Sequence, residues 1–448
     1  MSRTIVALST PSGESAIGVI RLSGDTVASL SESIFSKKLT PRYAHRAKYK
    51  NLAGDILDDT VVTYFKAPAS YTGEDCLEIA THGNPFIIQS IISDLIARGA
   101  EPAQAGEFTR KAFENGKIDL SQAEAGALLI QARSQRALKA AQKQLSGELG
   151  KRINDMSEQL LDVMALIEAY IDFPEEDLPQ EDKDTVISAI TTSVQNMMSL
   201  IETAKYSPLI HQGIDIVIAG SPNAGKSSLL NLLLDDERAI VSDIAGTTRD
   251  FISEKTSIGG NAVNLTDTAG LRGSDDKLET IGIDRAREKM SECDICLFVV
   301  DSQTPNMEEF DNQKLSPKNT ILVLNKCDIQ TSFPKDIAEK YKEYKSVQVS
   351  CLCRTGAEQL KQEISKLIDT HHITASADDI LVSARHAQSL QSAVDFCISA
   401  KNGAEKNRPA ELIASDLYCA LNALGDIVGK TDNEAILDRI FSKFCIGK

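Results

Sequence analysis

The chain of 448 residues lacks the features that mark several large classes of protein. No apolar run approaches the roughly 20 residues that a membrane-spanning helix needs. The start of the chain has no charged region followed by an unbroken apolar stretch, so no secretory signal is predicted. Internal repeats and low-complexity tracts are also missing. We therefore expect a soluble, cytoplasmic protein made of about three globular domains.

Basic residues are in short supply. The chain has 48 Lys and Arg against 64 Asp and Glu, which gives a net charge of −16 at pH 7. Phosphate contacts come mainly from Lys and Arg, so this balance excludes a basic coat protein and argues against strong independent binding to nucleic acid. A local basic patch or a basic partner stays open.

Cysteine and histidine are badly spaced for metal binding. The nine cysteines lie mostly in apolar segments, which predicts reduced thiols. Cys293 and Cys296 form a CxxC, but Cys296 begins an apolar run and no second pair lies at zinc-finger spacing. We predict that both are buried in a core. The histidines show no metal-ligand spacing beyond the adjacent His371 and His372.

The pattern of apolar residues divides the chain into segments. Residues 1–118 alternate β-like runs with turns and predict an α/β domain, with strands at Thr4–Leu8, Ile17–Leu22 and Thr60–Phe65. Helical spacing occupies 119–212 and 370–448, whereas 213–369 alternates strands and helices as in a parallel sheet covered by helices. The predicted fold is therefore α/β plus all-α, with a discontinuous helical domain interrupted by an inserted domain.

Apolar residues that recur at helical spacing, mostly three or four apart, predict helices with an apolar face. In order along the chain these faces comprise Leu145, Leu149, Ile153, Met156, Leu160, Val163 and Ile167, then Val186, Ile190, Val194, Met197 and Ile201, and finally Leu390, Val394, Cys397, Leu412, Leu417, Leu421 and Leu424. The prolines in 173–179 predict a break between the first two faces.

The inserted segment carries a phosphate-binding loop. Residues 220–227 match GxxxxGK[ST] and lie between a β-like run and a predicted helix. In such a loop, backbone N–H groups face the phosphates, the lysine neutralises the β and γ charges, and the last hydroxyl ligates Mg²⁺. The predicted nucleotide ligands here are Asn223, Ala224, Gly225, Lys226, Ser227 and Ser228, with Lys226 also catalytic and Ser227 on the metal.

Two further motifs predict the response to the γ-phosphate. In residues 246–250, Thr248 is predicted to be the second hydroxyl ligand of Mg²⁺. In 267–270, Asp267 can reach Mg²⁺ through water, and a glycine N–H can contact the γ-phosphate. The predicted nucleotide-binding residues of these motifs are Thr247, Thr248, Asp267, Thr268, Ala269 and Gly270.

The residues 325–328 predict selection of guanine. Asn325, Lys326 and Asp328 follow an apolar run, and a carboxylate at Asp328 can accept from both N1–H and the exocyclic amine of guanine. Adenine has no such pair of donors, and an unpaired buried carboxylate is unfavourable. Ser350, with the Cys351-Leu352-Cys353 stretch after it, is predicted to complete the base-contacting region. GTP is therefore favoured over ATP.

These five elements, in this order, resemble the translation-factor-like branch of the Ras-like P-loop GTPases. One departure is Leu271, where Ras-like proteins carry a glutamine that orients the attacking water. Leucine cannot orient water, so either hydrolysis is slow or another group acts. The candidates in the adjoining sequence are Arg249, Arg272, Asp275, Asp276 and Glu279.

The segment order and the terminal residues 444–448, Phe-Cys-Ile-Gly-Lys, resemble the bacterial MnmE (TrmE) family of tRNA modification GTPases. The resemblance implies a K⁺-stimulated GTPase acting with the flavoprotein MnmG in a heterotetramer. The pair would install a carboxymethylaminomethyl-type group at carbon 5 of the wobble uridine of certain tRNAs. It also implies a homodimer formed by the first segment, and a site there for a tetrahydrofolate derivative in the 5-formyl or methylene form.

The resemblance also assigns roles by motif. It implies that Glu279 orients the attacking water, with Ser242 added to the nucleotide ligands. The implied K⁺ ligands are Asn223, Ser242, Ile244 and Thr247, and the implied folate ligands are Arg21, Glu78, Lys117 and Lys448. Cys445 is open between a covalent nucleophile toward the uracil ring and a frayed end. A prenylation box does not fit, because Gly447 is not aliphatic.

Two other functions stay open. A regulatory GTPase switch in ribosome assembly would share the phosphate loop, but it has no need of the N-terminal segment or the tail with Cys445. A folate-binding structural dimer with a vestigial GTPase is disfavoured by the intact Lys226, Asp267 and Asp328.

Overall fold

The computed structural model describes residues 3–172, 180–235, 253–268, 288–313, 315–329, 335–372, 380–430, 434–442, 444 and 447. The chain divides into two compact units. The first unit comprises Met1–Ala127, Gln144–Ser193 and Ser392–Lys448, and the second comprises Leu128–Lys143 and Val194–Gln391. The predicted break at 173–179 lies outside the described residues.

The strands, in chain order, are β1 Ile5–Leu8, β2 Ser15–Ser23, β3 Ala44–Lys50, β4 Ile56–Phe65, β5 Cys76–Gly83, β6 Glu101–Pro102, β7 Ile214–Gly220, β8 Ser253–Ile258, β9 Asn261–Asp267, β10 Ile295–Asp301, β11 Thr320–Asn325 and β12 Lys345–Gln348. The helices are α1 Val27–Phe35, α2 Pro85–Ala97, α3 Glu107–Glu114, α4 Leu120–Gln131, α5 Gln135–Leu145, α6 Glu148–Asp172, α7 Gln180–Thr203, α8 Ser207–Gln212, α9 Lys226–Asp235, α10 Glu308–Gln313, α11 Lys335–Lys340, α12 Ala357–Leu367, α13 Ala384–Glu405, α14 Ala410–Val428 and α15 Glu434–Phe441. A π-helical turn, Ile368–His372, continues α12.

The first unit contains a sheet in the order β3-β4-β5-β2-β1-β6. The pairs are antiparallel except for β1 with β6. Ile20, Leu22 and Ile79 are buried in a cluster that also contains apolar residues of α1 and α2. Because successive side chains of a strand point to opposite faces, Arg21 and Glu78 lie on the other face.

The predicted strands of this unit are confirmed as β1, β2 and β4, and the sequence missed β3 and β5. Strand β3 is at the edge of the sheet, and only Tyr49 among its residues is buried, so it has no apolar alternation to detect. Strand β5 follows residues 71–75, whose composition favours a turn, and it ends at Gly83, directly before Asn84 and Pro85, which also favour a turn. Local composition therefore hid both strands.

The apolar face predicted for α6 is confirmed. Its six members from Leu149 to Ile167 are all buried, and the helix packs against α14. In α7 the buried face runs through Val186, Ile190 and Met197, but Ser193 and Leu200 are buried in place of Val194 and Ile201. The predicted positions are on average more than 3.6 residues apart. Val194 and Ile201 therefore fall beside the buried face of the helix.

The helix predicted through Leu412 is confirmed as α14, but Leu412 does not share its buried face. Its side chain is 48% exposed, and Ile413 occupies the buried face instead, with Leu417 and Leu424. The step of five residues from 412 to 417 rotates a side chain by about 140° from its partner, since each residue turns about 100°.

The second unit contains a sheet in the order β12-β11-β10-β7-β9-β8. All of its pairs are parallel except β8 with β9, which confirms the inserted parallel α/β fold. Strands β7, β10 and β11 are almost continuously buried, as expected of strands covered on both faces. The loops after these strands therefore meet at one edge of the sheet, where ligands bind in open α/β folds.

The cysteines and the hydropathy of the helices agree with the sequence in the residues that the structure describes. The eight cysteines in the described ranges are free thiols, and Cys293 and Cys296 are buried as predicted. In those ranges no group of His, Cys, Asp and Glu side chains has the arrangement of a metal site. No described helix combines the length and the hydropathy needed to cross a bilayer.

Leu424→Ala should destabilise the first unit, because it empties a fully buried position of α14. We expect a loss of about 2–5 kcal/mol in the free energy of unfolding. Urea denaturation followed by circular dichroism measures it. The control is Leu412→Ala on the same helix, which should change the free energy by no more than about 0.5 kcal/mol. Equal losses in the two variants would contradict the burial described here.

Candidate functional site

The phosphate loop is shaped by close backbone approaches. A Cβ at Gly220 would lie 2.2 Å from the carbonyl oxygen of Val299, and one at Gly225 would lie 2.1 Å from Nδ2 of Asn325. Both glycines have positive φ, 135° and 95°, which side chains rarely adopt. Asn223, at φ 63°, is in the left-handed region that asparagine tolerates. The loop therefore lies directly against β10 and the motif after β11.

Lys226 is the first residue of α9, and its side chain folds back over the loop. Its Nζ donates to the carbonyl oxygens of Gly220 at 2.7 Å and Ser221 at 2.9 Å. The lysine is buried, so its ammonium depends on these acceptors in place of water. A positive charge and the N-terminus of α9 thus lie together at the loop, an arrangement that suits phosphate.

Ser227 and Asp267 form the candidate Mg²⁺ ligand pair. The Ser227 hydroxyl donates to Oδ2 of Asp267 at 2.6 Å. A hydroxyl and a carboxylate that converge in this way fit Mg²⁺, which prefers oxygen ligands. Thr268 next to them is buried and donates from Oγ1 to the carbonyl of Ile218 at 3.0 Å, so this side chain ties the motif to β7.

Asn325 joins three of the predicted motifs. Its Nδ2 donates to the carbonyl of Ala224 in the phosphate loop at 2.9 Å. Its Oδ1 accepts from the backbone N–H of Cys351 at 3.2 Å. The amide is almost fully buried, so both of its polar atoms are used within the protein. This side chain sets the separation between the phosphate loop and the base-contacting region.

The structure brings Asp328 and Ser350 together, as the sequence predicts for a base-contacting region. The Ser350 hydroxyl donates to Oδ1 of Asp328 at 2.5 Å and accepts from the backbone N–H of Cys353 at 3.1 Å. These bonds orient the carboxylate. Burial raises the pKa of the neighbouring Cys351 thiol to about 11, so this thiol stays protonated near neutral pH.

Asp301 and Ser302 belong to the same edge, and sequence reasoning missed them. Oδ2 of Asp301 lies 2.6 Å from Nζ of Lys326. Ser302 donates from its hydroxyl to the carbonyl of Lys326 at 2.9 Å and from its N–H to the carbonyl of Asn325 at 3.1 Å. The signal that could have found them is an acidic residue at the end of a buried strand, at the sheet edge that carries the other motifs.

The charge of Asp301 is favoured where it lies. Burial by itself would raise the pKa of its carboxyl, but hydrogen bonds from Lys326 and from the backbone N–H of Gln303, with the nearby ammonium charge, outweigh burial. The net effect is a lowered pKa. Asp301 is therefore a carboxylate at neutral pH and forms a true ion pair with Lys326.

The first unit places Arg21 and Glu78 opposite each other on β2 and β5. Oε1 of Glu78 accepts from Nη2 of Arg21 at 2.7 Å and from Nε at 3.0 Å. The guanidinium carbon also lies 5.4 Å from the centre of the Tyr71 ring and 5.9 Å from that of Phe108. The two predicted folate ligands are thus one ion pair beside aromatic rings. The third predicted ligand, Lys117, has a different hydrogen-bond partner: its Nζ donates to the carbonyl of Pro68 at 3.1 Å.

The C-terminal tail reaches the end of β1. Ser9 donates from its hydroxyl to the carbonyl of Gly447 at 3.0 Å. Gly447 has φ 97°, and a Cβ there would lie 2.1 Å from the carbonyl oxygen of Leu8. Ala7, one residue earlier on β1, pairs with Arg21. The penultimate residue of the chain is therefore held beside the strand that neighbours the Arg21 and Glu78 pair.

A cavity of about 800 Å³ lies beside α3 in the same unit. Arg3, Glu74, Glu107 and Lys111 are among its lining residues. Lys111 is buried and forms a 2.8 Å ion pair with Glu74, and Arg3 pairs with Glu107. The sequence predicts no site at these residues, because isolated charges in a sequence resemble solvated surface residues.

Many predicted site residues lie outside the described ranges. They are Ser242, Ile244, Thr247, Thr248, Arg249, Ala269, Gly270, Leu271, Arg272, Asp275, Asp276, Glu279, Cys445 and Lys448. Their predicted roles in K⁺, Mg²⁺, folate and substrate chemistry stay predictions. Of the implied K⁺ ligands, Asn223 is described, and it is exposed in the phosphate loop.

Comparison with known proteins adds evidence independent of this geometry. A family model described as "GTP-binding protein TrmE N-terminus" matches residues 4–117, and one described as "MnmE helical domain" matches 120–445. The chain is similar to the tRNA modification GTPase MnmE of Opitutus terrae, with 44% identity over 99% of both chains. It is also 44% identical to MnmE of Aquifex aeolicus over 100% of both chains. The chain is also similar to a solved structure of Era from Aquifex aeolicus bound to GDP and aluminium fluoride, with 26% identity. The match covers 41% of this chain and 66% of the Era chain, with a TM-score of 0.28.

The parallel sheet, its phosphate loop and the base-contacting motif at one edge define a P-loop GTPase, here inserted in a helical domain that follows an N-terminal α/β domain. Matches over essentially the whole chain go further than this class. The chain belongs to the MnmE family of tRNA modification GTPases.

Asp328→Asn should move base preference from guanine toward xanthine. Asparagine offers a donor where the carboxylate accepts, and xanthine has a carbonyl where guanine has its amine. Titration with fluorescent GDP and XDP measures the change, and XDP serves as the folding control because it should bind the variant. Unchanged affinity for GDP would contradict the assignment of Asp328.

Proposed function

We propose that this protein hydrolyses GTP to support modification of carbon 5 of the wobble uridine of certain tRNAs. The product would be a carboxymethylaminomethyl-type group. The observation that carries the proposal is similarity over the full length to relatives named tRNA modification GTPases, at 44% identity in two of them. The intact Lys226, Ser227 and Asp328 support a working nucleotide site.

In the proposed GTPase step, residues of the second unit bind, orient and select. Lys226 and the N-terminus of α9 balance phosphate charge, and electrostatic stabilisation of this kind acts on charge that develops in the transition state. Ser227 and Thr248 would ligate Mg²⁺ and Asp267 would reach it through water, and the ion would supply charge neutralisation at the phosphates. Asp328, oriented by Ser350, would accept from guanine.

Control of the attacking water is assigned to Glu279. The side chain of Leu271 has no hydrogen-bonding group. A carboxylate in the adjoining sequence can orient a water molecule by accepting a hydrogen bond from it. Asn223, Ser242, Ile244 and Thr247 would hold K⁺, whose charge suits the region between the β- and γ-phosphates. The exposure of Asn223 in the phosphate loop is consistent with this proposal.

The first unit is proposed to bind a tetrahydrofolate derivative in the 5-formyl or methylene form. Arg21 and Glu78 offer a cation and a carboxylate beside the rings of Tyr71 and Phe108, which suits a ligand with a flat ring and acidic groups. Lys117 and Lys448 would supply further cations. The contact of Gly447 with Ser9 supports participation of the tail in this site.

The partners proposed are a second copy of this chain, the flavoprotein MnmG in a heterotetramer, and tRNA as the substrate, with the cytoplasm as the compartment. The net charge of −16 supports the need for a more basic partner when tRNA is bound. The competing function, a switch in ribosome assembly, would leave tRNA nucleosides unchanged when the protein is removed.

Removal of residues 445–448 should abolish tRNA modification and leave GTP hydrolysis nearly intact. The tail contacts the first unit at Ser9, whereas the phosphate loop belongs to the second unit. Mass analysis of tRNA nucleosides from deletion cells that carry the truncated chain measures modification. Cells with the full chain are the positive control, and Cys445→Ser tests the thiol separately. Normal modification by the truncated chain would make the tail a frayed end.

GTP hydrolysis should fall sharply when Na⁺ replaces K⁺, with GTP affinity nearly constant. Na⁺ is too small to contact the Asn223 oxygen and the phosphates together. Turnover at saturating GTP and matched ionic strength measures the effect. Asn223→Gly is the most direct variant, because glycine adopts φ 63° freely and removes the side chain that carries the amide oxygen. It should hydrolyse slowly in both salts, and equal turnover of the unaltered chain in both salts would remove K⁺ from the mechanism.

A further inference from the structure

We propose that Asp301 is a positioning residue for guanine nucleotides, because it fixes the Lys326 side chain next to the base-contacting residues Asn325 and Asp328. The inference rests on the GTPase function proposed above and adds a residue from β10 to that site. None of the five nucleotide motifs includes this residue.

The backbone of Lys326 is held by Ser302, the residue that follows β10. Lys326 has φ 64°, a left-handed conformation that a residue with a side chain keeps only when its surroundings impose it. The Ser302 hydroxyl donates to the carbonyl of Lys326 at 2.9 Å, and the Ser302 N–H donates to that of Asn325 at 3.1 Å. Two consecutive peptide groups of the base-contacting motif are therefore tied to the residue after Asp301.

The side chain of Lys326 is held by Asp301 itself. Oδ2 of Asp301 accepts from Nζ of Lys326 at 2.6 Å, while Oδ1 accepts from the N–H of Gln303 at 3.0 Å. The carboxylate is thus fixed on both oxygens. The exposed fractions of the Asp301 and Lys326 side chains are 16% and 34%, so water screens this pair less than a surface pair.

A fixed lysine helps binding through preorganisation. Four methylene groups form an apolar stem that can cover the flat face of a purine, with the charged end remaining solvated or paired. A free lysine loses rotamer entropy when a ligand orders its side chain. With the Lys326 ammonium anchored on Asp301, that loss is already present before the nucleotide arrives. The expected consequence is tighter binding, with no contribution to the chemical step.

The test is Asp301→Asn, which keeps the shape of the side chain and removes its charge. We expect the dissociation constant for GDP to rise roughly five- to tenfold, with kcat at saturating GTP unchanged. The same factor should apply to IDP, which lacks the amine that Asp328 would accept from, because the Lys326 stem would lie against the ring and not against that amine. Asp301→Glu should restore part of the affinity.

The matched control is Asp311→Asn. Asp311 pairs with Lys340 at 2.7 Å in the same unit, and both side chains are more exposed than Asp301 and Lys326. This variant removes the same kind of ion pair away from the motifs and should leave GDP affinity unchanged. An equal loss in both variants would mean that net charge, and not the position of Lys326, controls affinity.

A double-mutant cycle separates positioning from general damage to the fold. In a chain that carries Lys326→Ala, the further change Asp301→Asn should have no effect on GDP affinity. A loss that persists in that background would overturn the proposal, as would unchanged or tighter binding by Asp301→Asn alone. Failure of the guanine site itself has a different signature, since Asp328→Asn would then not change the preference between GDP and XDP.

Discussion

The nucleotide site depends on one buried side-chain amide, that of Asn325. Its nitrogen holds the phosphate loop at Ala224 and its oxygen holds the backbone at Cys351. Gly225 is required because any side chain there would occupy the position of that amide. Phosphate and base are recognised on separate loops, so their separation must match the length of a nucleotide. The Asn325 amide, hydrogen-bonded at both its nitrogen and its oxygen, sets this distance, and the N–H of Ser302, the residue after β10, donates to the Asn325 carbonyl.

The first unit uses strand alternation for a different purpose. One face of its sheet is buried with Ile20 and Ile79, which leaves Arg21 and Glu78 to pair on the other face. The rings of Tyr71 and Phe108 pack beside the guanidinium of Arg21, and the ion pair with Glu78 fixes its orientation. Gly447 brings the tail to the end of β1, the strand next to β2 and Arg21, because the absence of a Cβ allows this contact. The proposed folate chemistry and the proposed GTPase chemistry therefore rest on different units of the chain.

Particular residues show where reading the sequence failed. Leu412 fits an apolar list, yet it is exposed, because helical geometry admits only Ile413 to the buried face. Strand β3 lacks apolar alternation, since all of its residues except Tyr49 are exposed or half-buried. The sequence also did not predict that the Thr268 hydroxyl donates to the carbonyl of Ile218 on β7. Asp301 belongs to no motif, and only the order of strands in the sheet brings it to Lys326.

The sequence by itself determined the motifs, their order, the inserted α/β domain and the seam of α6, because these depend on local spacing and on residue chemistry. The GTPase class followed from that order, with Lys226 and Asp328 at their expected places. Tertiary structure decided which side chains meet across long separations: Asn325 with Ala224, and the tail with Ser9. Such contacts depend on strand order and on the packing of distant segments, and neither leaves a periodic signal in the residues that take part.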